Sequence, residues 1–202
     1  MTRSRLMTFA MVPVAFASLS GCGINSIPTA EEEAKARWAD VQNQYQRRAD
    51  LIPNLVSTVK GYAAQEKSVL IGVTEARARA TQVTVSPEQL SDPAAMQRYS
   101  QAQGALSSAL IPFQRLQEAY PDLKSNQNFL ALQSQLEGTE NRITVARGDY
   151  NNAVQAYNTR IRTFPDVIGA KVFYGAKPMV TFQATTPNAE KAPTVNFDTN
   201  AQ

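Results

Sequence analysis

Apolar positions recur at helical spacing over most of the chain. Ala34, Trp38, Val41, Tyr45, Arg48, Ile52, Leu55, Val59, Tyr62, Glu66, Val69, Val73, Ala76 and Ala80 follow one another at alternating intervals of four and three. That rhythm marks one side of a helix as a buried seam. It runs straight through Pro53, which removes a backbone hydrogen bond and crowds the preceding turn. The pattern therefore predicts one long helix, bent between Ala49 and Ile52, in preference to a loop. Upstream, Thr29-Ala30-Glu31-Glu32 has the form of a capping box and places the helix start at Thr29.

From Thr81 to Asp92 the β-branched residues, serines and Pro87, with Pro93 following, read as a connection. Asp92-Pro93 is a cap followed by proline at the first helical position. A second stripe runs from Met96 through Tyr99, Leu106, Leu110, Phe113 and Leu116 to Tyr120, with Pro112 as a second bend. Tyr120-Pro121-Asp122 breaks it, and Ser125 or Asn126 caps the next helix. That helix carries Phe129, Leu136, Thr139, Ile143, Tyr150, Val154, Tyr157, Ile161 and Phe164, and ends at Phe164-Pro165. Stripes of this kind leave water only by packing on one another. The expected fold is all-α: an antiparallel up-and-down bundle of three to four long helices over residues 29–165, the first kinked at Pro53 and counting as one helix or two. Residues 166–202 read as an extended tail, loosely ordered or packed on the bundle, with extended pieces at Val180–Phe182 and Val195–Phe197.

The N-terminus has a different character. Arg3 and Arg5 precede an apolar stretch from Leu6 to Ala17, and then comes Leu19-Ser20-Gly21-Cys22. Charged region, apolar region and small-residue cleavage site follow in the order of a secretory signal. The LSGC run matches a bacterial lipoprotein signal, so residues 1–21 are expected to be removed and Cys22 to carry acyl chains, with residues 22–28 as a short linker. Two or three chains anchor stably where one does not. An uncut transmembrane anchor is the bland alternative, but the stretch is short for a span and contains Pro13. Gly23 stands where an aspartate would act as an inner-membrane retention signal, so the outer membrane is favoured in a host with two membranes.

Composition narrows the chemistry. An apolar fraction of 43% in 202 residues suits one globular domain, and the formal charge is +3. Removal of Arg3 and Arg5 leaves 18 basic against 17 acidic residues, a balance of +1 that weakens an electrostatic case for nucleic acid. There is no histidine, which excludes Ser-His-Asp and Cys-His centres and histidine metal motifs. No cofactor motif is present. Arg48 and Glu66 are polar residues on the buried seam, and the simple reading either pairs them with Glu137, Glu140, Arg142 or Arg147 of the last helix or packs their stems while the heads reach water. Tyr45 and Tyr62, beside Arg47, Arg48 and Lys60, fall on the same seam and so do not form an open stacking platform. Glu31, Glu32 and Glu33 favour a helix N-terminus over a metal.

Three stretches, QRRADLIPNLVSTVKGYAAQE, EAYPDLKSNQNFLALQSQLEGTENRI and ARGDYNNAVQAYNTRIRTFP, resemble the LemA family of bacterial membrane-associated proteins. The resemblance covers residues 31–197 and implies an all-α bundle fixed to a membrane by its N-terminus. Where the family usually has a transmembrane segment this chain has a lipobox, and where the family often has a histidine it has Gln65. A relative in magnetosome formation and recurrent association with membrane proteases imply work on membrane organisation or envelope upkeep. The resulting expectation is a lipid-anchored, non-enzymatic scaffold or adaptor in the cell envelope, its body outside the cytoplasm, partnered by an envelope protein or by itself, and not by nucleic acid. The solvent face with Arg47, Asn54 and Lys60 offers one docking surface, though the sequence names no partner-binding residue. The competing readings are an envelope hydrolase with a carboxylate-only metal site, and a lipid-binding or membrane-shaping protein.

Overall fold

The computed structural model describes residues 25–183. Cys22, the leader and the Val195–Phe197 piece lie outside the described residues. The structure is all-helical: α1 (Ser26–Lys60), α2 (Lys67–Gln82), a 3₁₀ turn (Pro87–Ser91), α3 (Pro93–Ala119), a single turn α4 (Pro121–Lys124), α5 (Gln127–Arg160) and a single turn α6 (Asp166–Gly169). A π-helical turn, Ala170–Tyr174, extends α6 and stops at Gly175, whose φ of 54° favours glycine.

Both ends of the first helix differ from the sequence reading. α1 begins at Ser26, not at a Thr29 cap: the Thr29 hydroxyl donates 2.8 Å to the Asn25 carbonyl, inside the first turn. Pro28 is tolerated there because first-turn N–H groups have no intrahelical partner, and Ile27 is fully buried by the extra turn. The uninterrupted stripe from Ala34 to Ala80 is not one helix. α1 stops at Lys60, and residues 61–66 turn the chain back. Gly61 costs a helix interior about 1 kcal/mol relative to alanine, and α2 gains packing by returning along α1. Arg77 of α2 reaches back to Ala49, and Val85 beyond α2 reaches Trp38.

The caps at Asp92 and Asn126 hold their helices as the sequence reads: Asp92 accepts from the Ala94 N–H and Asn126 from the Phe129 N–H, both at 2.9 Å. α5 lies along α1 with residue numbers running oppositely. Asn126 meets Tyr62, Glu140 meets Arg48, Trp38 meets Tyr150, and Ser26 meets Asp166. Two apolar clusters result. One surrounds Trp38, Tyr99, Tyr150 and Phe182; the other surrounds Ile52, Leu55, Phe113 and Phe129. The Trp38 ring makes tilted contacts with Tyr99 and Tyr150 and stacks on Phe182, at centroid distances of 5.2–5.7 Å.

Val180 to Phe182 lies as an extended strap on α5. Asn158 exchanges two hydrogen bonds with the backbone of Met179, and Asn151 exchanges two with Phe182, all between 2.8 and 3.1 Å. The register is forced by geometry. Seven helical residues rise about 10.5 Å, and three extended residues span about 10 Å, so asparagines two turns apart meet strap residues three apart.

Candidate functional site

α3 and α5 do not close on each other, and an open groove of about 1400 Å³ separates them. Leu55 of α1, Leu110 and Phe113 of α3, and Phe129 and Leu136 of α5 supply its apolar lining. Ser100, Ser108, Gln133, Glu137 and Asn141 supply polar lining, and Gln183 of the strap also borders it. The α3 wall contains Pro112, which supplies no N–H to the carbonyl of Ser108.

Arg48 forms a polar layer between the two apolar clusters. Its side chain is 1% exposed. Nη1 donates at 2.8 Å to both Ser107 and Glu140, and Nη2 donates to the carbonyl and side-chain oxygen of Gln103 at 3.1 and 2.8 Å. Gln103, itself buried, donates 3.1 Å to the carbonyl of Ala80. One connected layer thus touches α1, α2, α3 and α5. The guanidinium also sits 5.0 Å from the Tyr45 ring centroid. Among the described residues, Arg48 Nε and Gln133 Oε1 are buried without a hydrogen-bond partner, and both residues line the groove.

Burial pushes the Tyr45 hydroxyl above its ordinary range, partly opposed by the charges of Arg147 and Arg48. Burial raises Tyr99 further, with the nearby Tyr45 in the same direction. Tyr150 is raised by burial alone, while its hydroxyl donates 2.9 Å to the carbonyl of Val180.

The sequence-stated candidates separate. Arg48 joins Glu140, one of the two carboxylates named for it. Glu66 does not pair with a charge on α5: it lies in the 61–66 turn and accepts from the Tyr120 hydroxyl at 3.0 Å, and Gln65 donates to the same hydroxyl. Tyr62 is exposed, not buried, because the helix ends before it. Phe164, placed on the α5 stripe, is likewise exposed because α5 ends at Arg160. Arg47, Asn54 and Lys60 are exposed as expected. Glu31 and Glu32 both pair with Lys35, and Glu33 pairs with Arg37. Gln103, Asn151 and Asn158 were missed. Their one sequence signal was a polar side chain at or beside a helical seam, which periodicity alone does not interpret.

Among the described residues no group of three or more Cys, Asp or Glu is placed to hold a metal, and no helix is long and apolar enough to cross a membrane. The arrangement offers recognition: an apolar floor between polar walls.

Comparison with known proteins places the chain in a family. Residues 37–197 match the model of the LemA family. Among similar proteins are magnetosome protein MamQ 2 and magnetosome protein MamQ 1 of Paramagnetospirillum magneticum, and magnetosome protein MamQ of Magnetospirillum gryphiswaldense. Each is 26% identical over 168 residues, covering 75% of this chain. The chain spans 62% of the length of these curated relatives. With the family model covering most of its length, the chain belongs to the LemA family.

Proposed function

We propose that this protein is a lipid-anchored, non-enzymatic adaptor of the bacterial envelope that receives a segment of another protein in the groove between α3 and α5. The groove carries the reading. Its floor of leucine and phenylalanine suits apolar side chains, and Ser108, Glu137 and Asn141 on its walls supply polar groups to meet a peptide backbone. In this reading residues 1–21 are a removed signal, residues 22–28 are the linker, and acylated Cys22 holds the body outside the cytoplasm, on the outer membrane where there are two. The long helices form an up-and-down antiparallel bundle, the first bent at Pro53. The MamQ relatives are magnetosome proteins by name, and a share for this chain in assembling a membrane-associated structure is part of the proposal.

The test is in-cell photo-crosslinking from Ser108 and Asn141 on the groove, with exposed Glu75 of α2 as the control, followed by mass spectrometry. A reproducible envelope partner captured from both groove positions and not from Glu75 is the expected result. Capture that does not distinguish the groove from Glu75 would overturn it.

A further inference from the structure

The end of the molecule where the N-terminal segment arrives carries large apolar side chains facing outward. Phe164 is 80% exposed, Val172 69%, Phe173 67% and Ile168 54%, with Tyr174 beside them. Their placement inverts the usual amphipathic order. Across α6 and the π-helical turn the inward face is Gly169 and Ala170, both buried, and the outward face holds the large residues. An ideal Cβ on Gly169 would lie 3.6 Å from Ile27 Cδ1, so this segment seats against the first turn of α1. Ser26 donates 2.8 Å to Asp166, and Arg160 donates 3.5 Å to the Ser26 carbonyl, fastening the same junction.

We propose that this apolar end is a membrane foot, which inserts Phe164, Ile168, Val172 and Phe173 into the headgroup boundary of the bilayer that anchors the chain. Two observations select a lipid surface over other occupants. Four backbone steps separate Ser26 from Cys22, which allows at most about 14 Å. An acylated Cys22 therefore holds the foot within reach of the headgroups. The surrounding charge also fits. Arg160, Arg162, Lys171 and Lys177 are exposed near the patch, while the carboxylate of Asp166 is engaged with Ser26. Aromatic and aliphatic side chains ringed by cations are the chemistry of an anionic interface. The inference deepens the anchored reading above and rests on it for the direction of approach.

The test uses the full chain produced in bacteria and reconstituted into phosphatidylethanolamine–phosphatidylglycerol vesicles. It carries p-benzoylphenylalanine in place of Phe173 or, as control, of exposed Ile71 on α2. Illumination is expected to attach lipid at position 173 at least about tenfold more often than at 71. Equal lipid labelling, or a protein adduct in place of lipid at 173, would overturn the foot. The acyl content of the N-terminal peptide is read from the same digest. Acylation without adducts at 173 sinks the foot and spares the anchor, whereas adducts at 173 on an unacylated chain sink the anchor and support the foot. Val172→Ser with Phe173→Ser, at exposed positions that leave the core intact, should reduce lipid adducts from a probe at Ile168 by a similar factor. Unchanged labelling there would also count against insertion.

Discussion

Arg77 Nε donates 2.7 Å to the carbonyl of Ala49, the carbonyl that Pro53 leaves without its intrahelical donor. A side chain from α2 thus repairs the defect that a proline makes in α1. Arg77→Met should cost about 1–3 kcal/mol, because Ala49 is buried and its carbonyl is left unsatisfied. In a Pro53→Ala background, where an N–H is restored, the same change should cost less than about 1 kcal/mol. Urea unfolding of the four members of this cycle measures the coupling, and equal costs in both backgrounds would show that the two residues act independently.

The Arg48 layer is asymmetric. The guanidinium is buried, whereas the Glu140 side chain is 44% exposed. Glu140→Ala should therefore destabilise by roughly 3 kcal/mol, since it strands a buried cation without its counter-charge. Adding Arg48→Met should recover about 1 kcal/mol by removing that cation. A double variant less stable than Glu140→Ala in chemical denaturation would mean that the bonds to Gln103 and Ser107 outweigh the uncompensated charge.

Asn151→Ala removes both bonds to Phe182, and Asn158→Ala both bonds to Met179. Each should release the strap locally while the helices persist. The Met179 and Phe182 amides should exchange at least about tenfold faster, equivalent to 1.4 kcal/mol of lost protection, with α1 and α3 amides nearly unchanged. Uniform acceleration across the chain would show instead that the strap unfolds only with the whole molecule.

Alkaline pH should unfold the protein through its tyrosines. Burial raises Tyr45, Tyr99, Tyr150 and Tyr157 above their ordinary value. The folded state holds their protons more tightly than the unfolded state, so this stability is fully present below about pH 10. It is lost as pH rises through the higher folded values. With no histidine, thermal stability should vary little between about pH 6 and 8. Melting temperature against pH, followed with tyrosinate absorbance, checks both statements. A steep change near neutrality would require another titrating group.

Helical periodicity made the all-α class legible, and polar chemistry made the caps at Asp92 and Asn126 legible. Arg48 was readable as a seam residue needing a partner. The 61–66 turn was not readable, because α2 resumes in the same phase and a stripe records which residues are buried, not where the axis reverses. Tyr62 and Glu66 were misplaced for that reason. Gln103 shows only a polar side chain beside the seam, since the groups its side chain meets lie on α1 and α2. Asn151 and Asn158 acquire meaning only when an extended segment is laid beside them. The groove and the apolar foot follow from how finished helices stand against one another and where they end.

The strap also sets an order of events. Phe182 stacks on Trp38, so a side chain from the far end of the described chain completes the cluster that the first helix begins. Closing so long a loop comes late and is entropically costly. A nascent chain that has delivered α1 but not the strap has an unfinished core, with the Trp38 ring lacking one of its faces. Maturation of this end of the protein is thereby tied to arrival of the strap, and the tryptophan reports that arrival from within the molecule.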